Sequence, residues 1–295
     1  MYELLGFPFQ SLVSQLLLGL VNGSFYALLS LGLAIIFGML GIPNFAHGAM
    51  FMVGAHITYL SITILGLNYW VSLLLAPLAV GILGLIIEQT LLRRLYRLDP
   101  LYNMLLLFGI AMTVEGLFRQ AFGVSGHSVS VPSQLQGAIN LGFMVMPIYR
   151  VWVILASLLV CFATWYAIEK TRFGSVLRAG TENPLLTQAF GINVPAIVMW
   201  TYGGGAALAA LAGVFAAPVM QVTPLMGSNL LIIVFAVVVI GGMGSILGSI
   251  ISGLLLGVVE GITKVVYPEA ANIVVFAVMV LVLIISPSGL FGKER

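Results

Sequence analysis

Few residues in this sequence have the types and spacing that catalysis or metal binding needs. The three histidines, His47, His56 and His127, lack metal-ligand spacing, and no HExxH motif occurs. The GVSG segment at 123–126 matches a serine-protease pattern, but His127 follows it directly in a predicted loop, so we interpret the match as chance. Cys161, the single cysteine, lies in an apolar run and predicts a buried thiol. We predict no catalytic residues, no metal site and no cofactor.

The longest polar, charge-bearing segment covers residues 169–194, EKTRFGSVLRAGTENPLLTQAFGINV. Within it, Asn183 is a favoured N-cap residue, Pro184 suits the first helical position, and Gly191 favours a left-handed stop. These signals predict a helix of about two turns from Pro184 to Phe190. A helix this short is marginal alone and needs something to pack against.

Two interpretations of this polar segment remain open. The helix could lie on lipid headgroups, with Arg172 and Arg178 attracted to anionic lipid. We favour a second interpretation, in which the segment is a docking surface for a partner protein.

Two further segments, GIPNFAHG at 41–48 and GGMGSILG at 241–248, interrupt apolar runs, one in each half of the chain. Unwound backbone at membrane depth is tolerated only where it lines a cavity or is buried in protein, so paired interruptions indicate a translocation pathway. The residues that we predict to line or shape this pathway are Asn44, His47, Gly48, Gly241, Gly242, Gly244 and Ser245. The alternatives are close helix packing for the glycines and a hydrogen-bonded core position for His47.

The composition places these segments in a membrane. Hydrophobic residues make up 61% of the chain and charged residues 7%, with a mean hydropathy of +1.17, whereas charged residues approach ~25% in soluble domains. We expect a single transmembrane domain over residues 1–295, because no polar stretch is long enough to bury a core of its own. The net charge of +2 and the scattered basic residues predict no nucleic-acid partner.

The apolar runs predict an all-α polytopic membrane protein with about nine transmembrane helices, since a helix needs about 20 residues to cross a bilayer. Eight or ten helices are also possible, because the first run is longer than one span and residues 228–266 are divided only by glycines. The predicted spans are 12–40, 45–66, 69–92, 101–121, 150–168, 196–219, 228–243, 245–266 and 270–287.

The basic residues predict how the chain is oriented. They cluster at one loop as Arg93, Arg94 and Arg97, at a second as Lys170, Arg172 and Arg178, and at the end of the sequence as Lys293 and Arg295. The positive-inside rule places all three groups in the cytoplasm. Nine spans then put the N-terminus in the periplasm and the C-terminus in the cytoplasm. Segment 122–149 becomes a periplasmic loop, in which residues 139–148 predict a short hairpin.

Two pairs of opposite charge stand four residues apart, Glu115 with Arg119 and Glu260 with Lys264. Each pair shares one helix face near the predicted periplasmic end of a span. We interpret both as structural ion pairs at the membrane interface. The alternative is a site at which a transported solute enters.

Two absences bear on the energy source for transport. The chain has no GxxxxGK[ST] phosphate loop, so ATP-driven transport would need a separate polypeptide to bind and hydrolyse ATP. The only aspartate, Asp99, lies in a predicted loop, and no glutamate falls at the midpoint of a span. Carriers coupled to protons or sodium usually have such a group, which argues against that class.

Four sequence blocks resemble those of ABC importer permeases of the LivH type, found in branched-chain amino-acid uptake systems. In order, they are GIPNFAHG at 41–48 with MFMVGA at 50–55, RAG at 178–180 with ENPLLTQAFGINV at 182–194, VVVIGGMGSILGSIISGLLLG at 237–257, and SPSGLFG at 286–292. Each block alone is a weak signal. Their order and spacing along the whole chain make the resemblance specific.

The resemblance implies a permease subunit of an ATP-driven importer for branched-chain or related hydrophobic amino acids in the bacterial inner membrane, with amides or urea as alternative substrates. It implies a homologous second permease, two cytoplasmic ATPase subunits that bind the ATP, and a periplasmic substrate-binding protein. Segment 169–194 would be the loop that couples to the ATPases, through Arg178, Glu182, Asn183, Pro184, Leu185 and Gly191. The alternatives from other classes are an ion-coupled secondary transporter or channel and a non-transporting assembly subunit.

One position departs from the family pattern. The family usually has an acidic residue directly after the NFAHG block, where this chain has Ala49. The departure indicates that contacts to a ligand or partner at this position differ from those of the best-known members. The prediction for the coupling loop is unaffected.

Overall fold

The computed structural model describes residues 3–4, 7–271 and 273–292, so Lys293 and Arg295 lie outside the described residues. The helices are α1 Phe9–Leu40, α2 His47–Tyr59, α3 Tyr69–Ile87, α4 Arg93–Leu95, α5 Pro100–Phe122, α6 Ile148–Lys170, α7 Arg172–Glu182, α8 Pro184–Ala189, α9 Val194–Ala216, α10 Met226–Gly241, α11 Ile246–Val266 and α12 Val274–Ile285. A π-helical segment, Leu60–Ile64, continues α2, and a second, Glu88–Leu92, joins α3 to α4. Short 3-10 turns occur at Ser133–Leu135 and Pro268–Ala270. The strands form two antiparallel pairs, β1 Glu3–Leu4 with β2 Phe7–Pro8 and β3 Ala138–Asn140 with β4 Val145–Pro147.

The helices follow the apolar runs of the sequence. Each of the nine predicted runs contains one helix, namely α1, α2, α3, α5, α6, α9, α10, α11 or α12. Within the described residues, six helices are long and apolar enough to cross a membrane, while α10 and α12 are shorter apolar helices. The chain is therefore a mostly helical, polytopic membrane protein. The count of nine spans and their direction remain predictions.

Helix α1 forms the centre of the bundle. It packs against α6, α9, α10 and α11, and nearly all its side chains between residues 21 and 36 are buried. Glycines bring α11 close to it: a Cβ atom on Gly253 would lie 2.5 Å from the Ala27 nitrogen, and one on Gly23 would lie 3.0 Å from Leu254 Cα. Because small residues let backbones approach this closely, the α1–α11 contact depends on them.

Both predicted ion pairs form. Lys264 Nζ lies 2.5 Å from Glu260 Oε1, and Arg119 Nη2 lies 3.7 Å from Glu115 Oε1. The Glu260 carboxylate also accepts a hydrogen bond from Tyr26 Oη at 2.7 Å, which joins α11 to α1 inside the core. The prediction of structural pairing is confirmed for Glu260 and Lys264, while the Glu115 carboxylate has a further contact, described below.

The helix ends form two opposite faces. We call the face that carries α7 and α8 the loop face. The face with β3 and β4 we call the hairpin face. The hairpin predicted at 139–148 is confirmed, with Ala138 paired to Pro147 and Asn140 to Val145.

A second contact on the hairpin face joins the chain after α5 to the chain before α10. His127 and Val222 form an antiparallel bridge, in which each N–H donates to the other carbonyl, at 3.0 and 2.9 Å. The His127 ring stacks on Tyr59 near the end of α2, with ring centroids 4.6 Å apart. The start of α10 is thereby held to the segment that follows α5.

Candidate functional site

Two helices, rather than one, occupy the polar segment 169–194. The predicted short helix is confirmed as α8, Pro184–Ala189, which ends one residue before the expected Phe190. Asn183 Oδ1 accepts from the Leu186 N–H at 2.9 Å, and Gly191 has a left-handed φ of 79°. Helix α7, Arg172–Glu182, was not predicted. Its buried residues Gly174, Leu177 and Gly180 recur every third position, a helical signal that the polar composition masked.

The predicted coupling residues take different positions in this segment. Arg178 Nη1 donates to the Ile168 carbonyl at 2.9 Å and lies 3.4 Å from the Glu169 carboxylate, so its side chain holds the end of α6. Glu182 and Leu185 are exposed. Thr187 Oγ1 donates to the Ala179 carbonyl at 2.8 Å and fixes α8 to α7. Their role in coupling remains a prediction.

Helix α8 presents large apolar side chains away from the protein. Leu185 is 81% exposed, Phe190 77% and Leu186 55%. Clustered exposed apolar side chains are typical of a surface that contacts another protein or a membrane, whereas single exposed ones are common on any protein. We call Leu185, Leu186 and Phe190 the α8 patch.

The Asn183 cap allows a direct test of α8. We expect Asn183→Ala to cost about 1 kcal/mol locally, because the Leu186 N–H loses its acceptor. Hydrogen–deuterium exchange should then speed up in peptides that cover 184–190. The matched control is Asn193→Ala, which removes the cap of α9 at Ala196 N–H and should leave exchange in α8 unchanged. Equal exchange in wild type and Asn183→Ala would contradict the role of the cap.

The 241–245 residues of the predicted pathway form a tight turn on the loop face. Gly242 and Gly244 have φ values of 98° and 85°, and Ser245 Oγ caps α11 by accepting from the Gly248 N–H at 3.1 Å. A Cβ on Gly241 would lie 2.5 Å from the Gly248 carbonyl carbon. These residues therefore have structural roles in the turn, which agrees with the alternative that the glycines serve close helix packing. Their role in a pathway is still a prediction.

The turn also holds the C-terminal segment of the described chain. The Leu290 N–H donates to the Ile240 carbonyl at 2.8 Å, and the Phe291 N–H donates to the Gly241 carbonyl at 3.2 Å. The loop-face end of α10 is therefore joined to residues 290–292.

Asn44 and His47 are fully buried at the start of α2. Asn44 Oδ1 accepts from the Ala46 N–H at 3.1 Å, and His47 Nε2 lies 2.9 Å from the Leu29 carbonyl. Asn44 Nδ2 and His47 Nδ1 have no hydrogen-bond partner among the described residues. Both residues join the α1–α2 connection to the core, and neither lines a cavity described below.

Gly48, by contrast, lines a cavity of about 270 Å³ between α2, α5 and α10, which we call the three-helix cavity. Its lining is mainly apolar and includes Phe45, Met52, Phe108, Leu231, Ile232 and Phe235. Gly48 also lies against Gly227, since a Cβ on Gly48 would be 2.5 Å from the Gly227 carbonyl oxygen. The structure thus brings together the starts of α2 and α10, and separates Gly48 from the 241–245 turn.

Two polar side chains in the three-helix cavity were not among the predicted site residues. Glu115 of α5 and Ser228 of α10 both line it, and Ser228 Oγ donates to Glu115 Oε2 at 2.7 Å. The sequence favoured an ion pair between Glu115 and Arg119, with a solute entry site as the alternative, and nothing local shows that residue 228 lies beside Glu115. Within the described part of the chain, no group of three or more His, Cys, Asp or Glu side chains is placed to hold a metal ion.

Comparison with known proteins decides the family. The family described as "Branched-chain amino acid transport system / permease component" matches residues 15–283, most of the chain. This chain belongs to that permease family. The resemblance of the four sequence blocks is confirmed, and the chain is a transport permease rather than an enzyme.

Individual members of this permease family are similar over nearly their whole length. The high-affinity branched-chain amino acid transport permease protein BraD of Pseudomonas aeruginosa is 31% identical over 300 residues, which cover 96% of both chains. The LivH proteins of Salmonella typhimurium and Escherichia coli are each 29% identical over 302 residues, again covering 96% of both chains. No solved structure matches this permease.

Proposed function

We propose that this chain is the membrane-spanning permease subunit of an ATP-driven importer for branched-chain or related hydrophobic amino acids, in the bacterial inner membrane. The observation that carries the proposal is the family match over residues 15–283, together with relatives named as branched-chain amino acid permeases. The substrate is the amino acid delivered by a periplasmic binding protein. Neither a catalytic residue nor a cofactor of its own is required, because the ATP is bound by partner subunits.

The partners in this proposal are two cytoplasmic ATPase subunits, a homologous second permease that makes a heterodimer, the binding protein and the lipid bilayer. The exposed α8 patch supports the docking of an ATPase, since it is a fixed, apolar surface on a face that carries basic residues. The sequence has no phosphate loop of its own, which agrees with a separate ATPase.

The proposed topology has nine spans, with the N-terminus in the periplasm and the loop face in the cytoplasm. Helices α2, α10 and α12 would be the three short spans beside the six long ones. Basic residues support the orientation: Arg172 and Arg178 lie in α7 on the loop face, and Lys170 ends α6 beside it.

Force from the ATPases would enter through α8. Helix α8 is hydrogen-bonded to α7 through Thr187, and α7 packs beside the end of α1 and the start of α9: a Cβ on Gly180 would lie 3.8 Å from both Met39 and Val194. Displacement of α8 would therefore move α1 and α9, which enclose the start of α2. Such movement would switch the pathway between outward and inward access.

The test is transport in liposomes that contain the purified permease pair, with or without ATPases, binding protein and ATP. We expect L-leucine uptake only when all components and ATP are present. Uptake by this chain alone, driven by an ion gradient and indifferent to ATP, would instead establish a secondary carrier. Uptake of urea or an aliphatic amide but not of leucine would show that one of these is the substrate. No uptake under any condition would indicate a non-transporting assembly subunit.

A further inference from the structure

The three-helix cavity has the composition of a binding site for a small molecule with one polar end. Its volume of about 270 Å³ lies just below the ~300–1,000 Å³ of pockets for drug-sized ligands, so a smaller molecule suits it. Aromatic and aliphatic side chains form most of its wall. Glu115 is the one charged residue in that wall.

Glu115 lies deeper along its helix than an ion pair at the membrane interface would require. Glu115 stands seven residues before the end of α5 at Phe122, which places it about 10 Å along the helix from that end. A carboxylate at such depth is costly against lipid, and polar groups in spans usually face a pathway or a protein partner. Arg119 compensates it weakly, because its side chain is 50% exposed and 3.7 Å away.

Besides the Ser228 hydroxyl, which donates to Glu115, the other polar groups at the cavity are backbone amides. In α2 the His47 N–H bonds to the Asn44 carbonyl and the Met50 N–H to the Ala46 carbonyl, and no side chain caps the helix. The N–H groups of Gly48 and Ala49, between these two, have no acceptor among the described residues. Both residues line the cavity.

Helix α10 starts in the same way. The Met226 N–H bonds to the Thr223 carbonyl and the Asn229 N–H to the Leu225 carbonyl, again without a side-chain cap. Within the described chain, the N–H groups of Gly227 and Ser228 have no acceptor, and both residues line the cavity. Two helix N-termini, which favour negative charge, therefore meet where Gly48 lies against Gly227.

The cavity wall thus combines one carboxylate bonded to the Ser228 hydroxyl, free amide donors at two helix starts, and an apolar remainder. A zwitterionic amino acid with an aliphatic side chain has the complementary groups: an ammonium, a carboxylate and a hydrocarbon chain. A fatty acid or lipid chain would match the apolar wall and the amides but would bring no cation to Glu115, whose partners are the Ser228 hydroxyl and the half-exposed Arg119. A simple cation would leave the apolar wall unused.

We propose that the three-helix cavity holds the amino acid during its passage through this permease, with Glu115 accepting hydrogen bonds from its ammonium group. The amides of Gly48, Ala49, Gly227 and Ser228 donate to its carboxylate, and the aliphatic side chain packs against Met52 and Phe235. The proposal rests on the proposed function for the identity of the substrate. It assigns Glu115 a role in binding that the ion pair with Arg119 does not include.

A cysteine-labelling experiment tests the site in the complete importer in lipid nanodiscs. Cys161 is 1% exposed and buried, so it should react little with a maleimide, and Ala111→Cys introduces a thiol into the cavity wall. The readout is the labelling rate of this chain with N-ethylmaleimide. We expect L-leucine to slow labelling. The ligands for comparison are 4-methylpentanoate, which lacks the ammonium, and 3-methylbutylamine, which lacks the carboxylate.

The deciding variant is Glu115→Gln in the Ala111→Cys background. The concentration of L-leucine that halves the labelling rate should rise about 10-fold or more, because a charge-assisted hydrogen bond is lost. The value for 4-methylpentanoate should stay the same. Glu269→Gln, outside the cavity, is the matched control and should change nothing.

Three results would overturn the proposal. Leucine could fail to slow labelling of the introduced cysteine while ATP-dependent leucine uptake is intact. The cavity would then not be part of the pathway, and the proposed function would be unaffected. Labelling could be blocked under every condition, which would mean that lipid or protein fills the cavity. Glu115→Gln could weaken leucine and 4-methylpentanoate equally, which would make Glu115 a structural residue. Absence of uptake in the wild type would count against the proposed function alone.

Discussion

We expect the paired substitution Leu185→Asp and Phe190→Asp to abolish ATP-dependent uptake and to leave the permease folded. Both side chains belong to the α8 patch and are 81% and 77% exposed, so removing them takes no packing from the core. In a docked complex they would be buried, and each lost anchor typically costs about 2 kcal/mol or more. Two such losses, about 4 kcal/mol together, should reduce ATPase binding by up to about 1,000-fold.

The measurement is co-purification of the ATPases, together with uptake in liposomes. The control is Leu98→Asp, which puts the same charge on an exposed leucine in the connection before α5. The control should keep both ATPase binding and uptake. If the double variant retained both as well, α8 would not be the docking helix, and the lipid-surface interpretation would be preferred.

We expect Gly253→Val to prevent the chain from folding. A Cβ on Gly253 would lie 2.5 Å from the Ala27 nitrogen and 2.6 Å from Ala27 Cα, and both are backbone atoms that no rotamer change can move. Overpacking a core with one or two methyl groups costs about 1–3 kcal/mol when side chains can adjust. Here α1 and α11 would have to separate along the most extensive helix contact of the protein.

The control for this substitution is Gly109→Val on α5, where an added Cβ meets no atom within 4 Å. Valine has a higher helix propensity than glycine, so the control should be as stable as the wild type or slightly more so. Thermal unfolding in detergent and the monodisperse fraction in gel filtration measure the difference. A well-folded Gly253→Val protein would show that the α1–α11 contact is looser than the structure indicates.

Local signals in the sequence predicted the elements whose boundaries depend on local chemistry. The Asn183 cap, the position of Pro184 and the left-handed Gly191 defined α8 to within one residue. The apolar runs predicted where each long helix lies, because the length of a span is set by the bilayer. Helix α7 was missed, because its polar composition masked the small buried face that packs against the end of α1, which lies far away in the sequence.

The candidate site was harder to predict because it depends on contacts between distant residues. The bond between Glu115 and Ser228 joins positions 113 apart in the chain. The meeting of Gly48 with Gly227 likewise requires the packing of α2 against α10. The glycine interruptions predicted the same pathway role for Gly48 and for residues 241–245, and they could not distinguish a cavity wall at Gly48 from the tight turn at 241–245.

Helix α10 is fastened at both ends to segments that lie on opposite faces. Before its start, Val222 is bridged to His127, and at its end the carbonyls of Ile240 and Gly241 hold Leu290 and Phe291. Binding free energies at two linked sites are reciprocal. We therefore expect a protein that binds around His127 to alter how readily residues 290–292 are engaged on the loop face, without any contribution from α8.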